Sequence, residues 1–291
     1  MIAFVSDAGA LTAVPASRCS IEALVQIYNA SRVDYIVPMP MNARRMAEYI
    51  AAYDVDLDAS YVAVNTADEP CAIGMLGWRG QRAWVTRLGV VPERRGRHVG
   101  RFMLNTLLDA AQSRGAALAQ LEVIEGNAPA HALFLKAGFQ ETRRLYALRR
   151  PPSPLPPSAA ALLTNARLEK LDTQACISAL EQRDLPISWL EETESMRKIG
   201  TLEGLAVALG NGERGAVVFC RMPFQISHIT PTAPADASEA LKTALIAAVH
   251  HQYPKHDTKL ENVDADSRFL STFRSLGYIV EFRRIEMFRF F

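Results

Sequence analysis

Two hydrophobic periods alternate along this 291-residue chain. Apolar positions three and four apart recur at about 20–31, 42–53, 99–114 and 128–137, which predicts helices. Ser20 followed by Ala23, Leu24 and Ile27 gives the first of them a capped, amphipathic start. Alternating or short apolar runs near 2–5, 60–66, 71–79, 82–91, 117–124 and 140–149 predict strands, with Gly80-Gln81 as a hairpin turn. The succession then repeats. Helices are predicted near 172–182, 190–198, 236–252 and 266–276, and strands near 164–170, 203–210, 214–221, 225–230, 258–263 and 278–290. In each half antiparallel strands come first and a strand–helix–strand–helix–strand run follows. That order predicts an α/β (α+β) fold of two like domains, each a mixed, mostly antiparallel sheet flanked by helices.

A proline-rich stretch divides the halves. Pro151, Pro152, Pro154, Pro156 and Pro157 fall within eight residues, which can continue neither a helix nor a central strand. The expected organisation is a first domain at 1–150, a stiff linker at 151–160 and a second domain at 161–291. Shifting the second half back by 139 residues superimposes Leu121-Glu122 on Leu260-Glu261, Phe134 on Phe273, Gly138-Phe139 on Gly277-Tyr278 and Pro92 on Pro231. The halves read as diverged copies of one unit.

Composition narrows the setting. Half of the chain is hydrophobic, 22% is charged and the net charge is +1, the balance of a soluble globular protein. So even a balance gives no electrostatic case for nucleic acid or an acidic membrane surface. Cys19, Cys71, Cys176 and Cys220 are far apart, without metal-ligand or disulfide-framework spacing. Reduced, packed thiols in a cytoplasmic protein are expected, with no metal. Met1 to Ala16 has no basic start, and no run reaches membrane-spanning length, so neither a signal peptide nor a membrane span is expected.

The chemistry concentrates at Val90-Val91-Pro92-Glu93-Arg94-Arg95-Gly96-Arg97-His98-Val99-Gly100-Arg101. Here a strand pattern gives way to a basic, glycine-bearing loop, and a helix pattern (Phe102, Leu104, Leu107, Leu108, Ala111) follows at once. Unpaired amides and the positive end of a helix dipole converge at such a place and favour an anion, such as a cofactor phosphate. A solvated arginine-rich turn explains the same residues equally well.

The later segment Leu121-Glu122-Val123-Ile124-Glu125-Gly126-Asn127, with Leu133, Phe134, Gly138 and Phe139 behind it, adds a second motif. Together, over about residues 60–149, the two resemble the GCN5-related N-acetyltransferase (GNAT) superfamily, whose loop reads Gln/Arg-x-x-Gly-x-Gly/Ala. Arg95 and Gly100 match, while His98 stands where the first glycine is usual. The resemblance implies two GNAT-like domains and acetyl-CoA as co-substrate. Loop residues Arg95, Gly96, Arg97, His98, Val99, Gly100 and Arg101 would lie at the pyrophosphate. Leu88, Gly89, Val90 and Val91 would pair with the pantetheine arm, and Asn127 and Phe134 would lie beside the cofactor. His98 either points to solvent while its N–H still binds, or weakens binding.

Acetyl transfer to an amine requires removal of a proton from the amine and stabilisation of charge on the thioester oxygen. Glu122, arranged with Asn127 as in the ribosomal-protein alanine acetyltransferase branch, is the candidate base; a structural carboxylate paired with an arginine is the alternative. Asn127 is the other catalytic candidate, though a helix N-cap would account for it. Phe134 occupies the position of the family's usual tyrosine acid and cannot donate a proton, so His131 and Tyr146 are candidate stand-ins. Asp34 and Tyr35 fall where the acceptor wall forms, with Asp34 a candidate ammonium partner and loop packing the competing explanation.

The second half has lost the loop. Arg95 to Arg101 correspond to Pro234-Ala235-Asp236-Ala237-Ser238-Glu239-Ala240, and Asp266 replaces Asn127. That copy is expected to be degenerate, shaping the acceptor site without binding CoA. His250, His251 and His256 read as a solvated helix end, not as metal ligands. The expected function is acetyl-CoA-dependent N-acetyl transfer, by direct attack in a ternary complex, to a small-molecule or peptide amine. The alternative is a non-catalytic acyl-CoA-binding or sensing protein. A homodimer stays open.

Overall fold

The computed structural model describes residues 3–6, 9–183, 186–199 and 201–291. Two compact units form, Met1–Arg143 with Ile285–Phe291, and Arg144–Arg284, each around its own hydrophobic core. This division differs from the expected 1–150 and 161–291 because each half's last strand is shared out. Residues 144–150 of β7 (Gln140–Arg150) belong to the second unit, and residues 285–290 of β13 (Ile279–Phe290) to the first. Ile285 and Met287 enter the first core, and the buried Glu286 carboxylate accepts from Arg143 Nε and Nη2 at 2.7 and 3.0 Å. Alternation reveals a strand but not its pairing partner, which tertiary packing selects.

The proline run is shorter as a linker than 151–160. Pro157 opens a helix, α5 (Pro157–Thr164), whose Ala159 and Leu163 pack into the second core. Proline at the first helical position lacks only an N–H that the helix does not use.

In the first unit the strand order is β1 (Ala3–Ser6), β2 (Gly9–Pro15), β3 (Val55–Val64), β4 (Pro70–Arg79), β5 (Arg82–Val90), β6 (Leu118–Ile124) and then β13. The pattern missed β2 and began β3 five residues late. Residue 2 of the strand expected near 2–5 lies outside the described residues. Helices α1 (Ile21–Ala30), α2 (Ala43–Ala52), α3 (Val99–Ser113) and α4 (Ala128–Lys136) match their predicted spans within about two residues. Ser20 Oγ accepts from Ala23 N at 3.2 Å and Asn42 Oδ1 from Arg45 N at 2.9 Å, so α1 and α2 are capped as their sequences direct.

Alternation divides the faces of this sheet. Ala72, Leu76, Ala83, Val85, Leu121 and Val123 pack with α3 residues Met103, Leu104 and Leu107 in one core cluster. Residues between them, Trp84, Thr86 and Glu122, therefore project to the opposite face, where Tyr49 of α2 lies against Trp84.

One feature of this sheet creates a groove. Strands β5 and β6 run parallel and pair at Arg82–Leu118, Ala83–Ala119 and Trp84–Gln120; pairing then stops, although β5 continues to Val90 and β6 to Ile124. A bulge shifts the β4–β5 register between Ile73 and Met75, and Arg87 sits near it with φ of 53°.

The second unit repeats the plan with strand order β7, β12 (Asp257–Asp264), β11 (Gln225–Thr232), β10 (Arg214–Arg221), β9 (Leu202–Ala208) and β8 (Arg167–Leu171). Its helices after α5 are α6 (Thr173–Glu181), α7 (Thr193–Lys198), α8 (Glu239–Gln252) and α9 (Leu270–Ser275). Parallel pairing of β11 with β12 again ends early, at Ser227–Lys259. His250 departs from expectation: it is 2% exposed inside α8 and its Nε2 lies 2.8 Å from Tyr278 Oη. Among the described residues, no helix is long and apolar enough to cross a membrane.

Candidate active site

The loop between β5 and α3 ends at a helix N-terminus without a side-chain cap. A short 3-10 turn, Pro92–Arg94, leads through Gly96 (φ 73°) to His98 (φ 61°), which stands at the N-cap of α3 without a side-chain capping bond. The first intrahelical bond runs from Phe102 N to His98 O at 2.9 Å, so the amides of Val99, Gly100 and Arg101 precede it. Arg97, His98 and Arg101 are exposed around this end. His98 adopts the left-handed backbone that favours glycine, and histidine is among the few side-chain-bearing residues enriched there. Its side chain is in solvent, as the first of the two sequence readings had it.

The packing of the fold does not itself require glycine at position 100. A Cβ there would meet Leu133 Cδ2 at 3.5 Å and Val90 Cγ2 at 3.6 Å, which is ordinary contact. Gly89 is different, because a Cβ would lie 2.3 Å from Ser31 Oγ; the end of α1 packs directly on β5 there.

Among the described residues, the end of β5 has one edge that pairs with no strand. Val91 N donates to Cys71 O at 3.0 Å, and Gly89 is registered with Ile73, so residues 89 and 91 bond toward β4. By alternation the carbonyls of Leu88 and Val90 face the side from which β6 has diverged.

Across the fork stands Glu122, whose Oε2 accepts from Trp84 Nε1 at 2.8 Å. Aromatic and polar groups surround it. Tyr49 Oη and Thr86 Oγ1 are 2.6 Å apart, the Arg87 guanidinium lies 4.0 Å from the Tyr49 ring centre, and Arg87 Nη1 donates to Tyr28 Oη at 3.0 Å. Tyr28 Oη in turn donates to Met39 O at 3.1 Å, tying the cluster to the loop between α1 and α2. Burial raises the Tyr49 phenol above its ordinary pKa, against the pull of Arg87 and Thr86, and the nearby charge of Glu122 raises it further. Tyr49 therefore stays a neutral hydroxyl. Sequence reading missed Trp84, Thr86, Arg87, Tyr28 and Tyr49; the alternation of Trp84 and Thr86 on β5 was the available signal.

Several expected site residues are engaged otherwise. Asp34 accepts two bonds from Arg95, at 2.7 and 2.8 Å, so its carboxylate partners a guanidinium and not a substrate ammonium. Arg95, expected at the pyrophosphate, also donates to Val90 O and Ser31 O, each at 3.1 Å. The Arg95 hydrogen bond holds the Asp34 carboxyl below the usual carboxylate range. Tyr35 stacks under Arg32, whose guanidinium is 4.3 Å from the ring centre. Asn127 is the N-cap of α4, with Oδ1 accepting from Ala130 N at 3.4 Å. Phe134 is a core residue, 6% exposed and edge-on to Phe139. Of the stand-in acids, His131 Nε2 lies 2.7 Å from Glu141, and Tyr146 belongs to the second unit, beneath Arg274 and Arg283.

The corresponding helix of the second unit is closed to anions. Ser238 Oγ caps α8 by accepting from Leu241 N at 3.2 Å, and the Glu213 carboxylate accepts from Ser238 N at 2.8 Å and Ser238 Oγ at 2.7 Å. Those Ser238 bonds hold the Glu213 carboxyl below its ordinary pKa. An internal carboxylate thus occupies the place where α3 presents bare amides. Among the described residues, no group of three or more His, Cys, Asp or Glu side chains could hold a metal.

Comparison with known proteins agrees with this geometry. Residues 22–139 match the family model of the acetyltransferase (GNAT) family. A GCN5-related N-acetyltransferase from Sphaerobacter thermophilus shares the fold with a TM-score of 0.70 at 17% identity, over 96% of this chain and 95% of that one. A tandem GNAT protein from the clavulanic acid biosynthesis pathway aligns with a TM-score of 0.65 at 13% identity, over 96% and 98%. A putative acetyltransferase from Pyrococcus horikoshii gives 0.62 at 15% identity, over 97% and 89%. No curated protein sequence matches the chain.

Proposed function

We propose that the first unit transfers an acetyl group from acetyl-CoA to a primary amine, because residues 22–139 match the acetyltransferase (GNAT) family model. The observation that carries this reading is the uncapped α3 N-terminus, reached through two left-handed residues at the end of a strand with one edge unpaired by any described strand. Bare amides, a helix dipole and exposed Arg97 and Arg101 suit a pyrophosphate. The edge carbonyls and amides of Leu88 and Val90 suit the amides of a pantetheine arm, and Gly100 leaves room for close approach.

Acetyl-CoA would supply the activated acetyl thioester. The residues of the chain then have two tasks. Glu122, oriented by Trp84 and set beside neutral Tyr49, takes a proton from the incoming ammonium, directly or through one water, so that the amine can attack. Backbone amides of β5 at the fork stabilise charge on the thioester oxygen. Attack is direct, in a ternary complex. With Phe134 in the core, no tyrosine acid stands at that position, and a CoA thiolate is an adequate leaving group without one. The second unit, with Glu213 and Ser238 on α8, does not take part in CoA binding.

The acceptor is a small-molecule or peptide amine, and the protein works in the cytoplasm. Calorimetric titration with acetyl-CoA, alongside acceptor-dependent release of CoA over a panel of amines, tests the reading. Binding together with release supports transfer. Tight binding with no release on any amine identifies an acyl-CoA sensor instead.

A further inference from the structure

Arg95 is the most heavily engaged side chain of the loop before α3. Nε donates to Val90 O at 3.1 Å, Nη1 to Asp34 Oδ2 at 2.7 Å, and Nη2 to Asp34 Oδ1 at 2.8 Å and Ser31 O at 3.1 Å. One guanidinium therefore joins three segments: the loop before α3, the edge of β5 beyond its pairing with β6 and the start of the 31–42 connection between α1 and α2. A second arginine does similar work beside it. Arg32 Nη2 donates to Leu88 O at 3.3 Å, the other carbonyl on that edge. The far end of the 31–42 connection is pinned separately, by Asn29 Nδ2 to Met41 O at 2.9 Å and Tyr28 Oη to Met39 O at 3.1 Å. The contacts of the arginine guanidinium groups fall on its first half, which also keeps backbone bonds from Arg32 N to Asn29 O and Tyr35 N to Arg32 O.

This arrangement puts two functions in competition. A cofactor arm that pairs along β5 needs the carbonyls that Arg95 and Arg32 now hold. Ser31 and Asp34, released with those arginines, lead into the segment that Tyr28 and Arg87 tie to the cluster around Glu122. We infer that Arg95 is a positioning residue, a clasp whose opening couples occupancy of the cofactor groove to the 31–42 wall of the acceptor site. The inference rests on acetyl-CoA as co-substrate. It assigns Arg95 a different role from that of a phosphate ligand, and the two roles predict opposite effects on affinity. A clasp that must open lowers apparent cofactor affinity by the fraction of time it is open, so its removal tightens binding.

The test uses the full chain with CoA as probe. Hydrogen exchange of wild type should show CoA protecting 92–101 and accelerating 31–37 roughly two- to tenfold, the range a lost hydrogen bond of this kind gives. In Arg95→Ala, 31–37 should exchange fast without CoA and change no further with it, while 92–101 stays protected and the Kd for CoA falls. Asp34→Ala should reproduce the fast 31–37 exchange. A Kd for Arg95→Ala that is unchanged or raised overturns the clasp, as does 31–37 exchange in wild type that ignores CoA. Failure of CoA to protect 92–101 in wild type rejects the cofactor reading itself and the coupling with it. Slow 31–37 exchange in Arg95→Ala without CoA rejects the clasp alone.

Discussion

Trp84 Nε1 donates to Glu122 Oε2 at 2.8 Å, from the last paired rung of β5 and β6, Trp84–Gln120, to a carboxylate two residues beyond it. The bond sits at the point where the strands part, so the carboxylate is aimed before the groove opens. It also holds the Glu122 carboxylate in one rotamer through a charge-assisted bond. Replacing Glu122 by Gln preserves shape and an acceptor for Trp84 but removes the base. The expected result is a fall in kcat of about 10²–10³ at neutral pH. The deficit should shrink at pH values where the acceptor amine is already deprotonated. Rates of Glu122→Gln equal to wild type across the pH profile reject Glu122 as base. Trp84→Phe keeps the carboxylate and loses its orientation, so a smaller loss, on the order of tenfold, is expected.

Gly100 separates binding from folding. Its Cβ position lies in ordinary contact with Leu133 and Val90, so the fold does not need glycine there. Gly100→Glu places a carboxylate at the bare amides of α3, where phosphate is expected, and adds repulsion. Thermal unfolding should stay within a few degrees of wild type while calorimetry detects no acetyl-CoA binding. Unchanged affinity removes the loop from the cofactor site. Gly100→Ala should fold normally and bind more weakly.

His98 tests how much strain the loop carries. At φ of 61° a β-branched residue is penalised far more than glycine. His98→Val should lower stability by roughly 1–2 kcal/mol. His98→Gly should leave stability within about 1 kcal/mol and retain CoA binding, because the imidazole is exposed and makes no capping bond. Chemical denaturation of the two variants beside wild type measures the difference. Loss of CoA binding in His98→Gly shows that the imidazole itself holds the ligand.

How much of this was legible beforehand follows the physical range of each signal. Helix spans came through because capping and the apolar period are local: Ser20 and Asn42 cap the helices their positions foretell. Strand partners did not, since nothing near Leu145 or Ile285 says which sheet accepts it. The loop's place between a strand and a helix was legible from its charge and glycines, yet the sequence could not say which arginine would pair with Asp34. Arg95 pairs with Asp34, 61 residues distant, and a bond of that range leaves no periodic trace. Glu122 stood out as a candidate because its arrangement with Asn127 resembles one branch of the family, whereas Tyr28 and Tyr49 join its surroundings only through the packing of α1 and α2. Phe134 was rightly seen as no acid, but its burial in the core needed the fold.

His250 makes the second unit sensitive to acid. Burial pushes its imidazole down to about 3, and the charge of Arg150 adds to the effect, so the folded state holds it neutral. In the unfolded chain it titrates near the ordinary histidine value of about 6.5. Between these two values the unfolded chain binds a proton that the folded chain does not. The stability this neutral histidine provides is therefore complete above about pH 6.5 and is lost as pH falls toward 3, by up to about 1.4 kcal/mol per pH unit. His250→Gln keeps a polar partner within reach of Tyr278 Oη and cannot titrate. Urea unfolding at a series of pH values from 7 to 4.5 should show a steeper loss of midpoint in wild type than in His250→Gln. Parallel curves for the two proteins would falsify this account and leave the acid response to the carboxylates, of which Glu213, held ionised by Ser238, is one that loses its bonds only at lower pH.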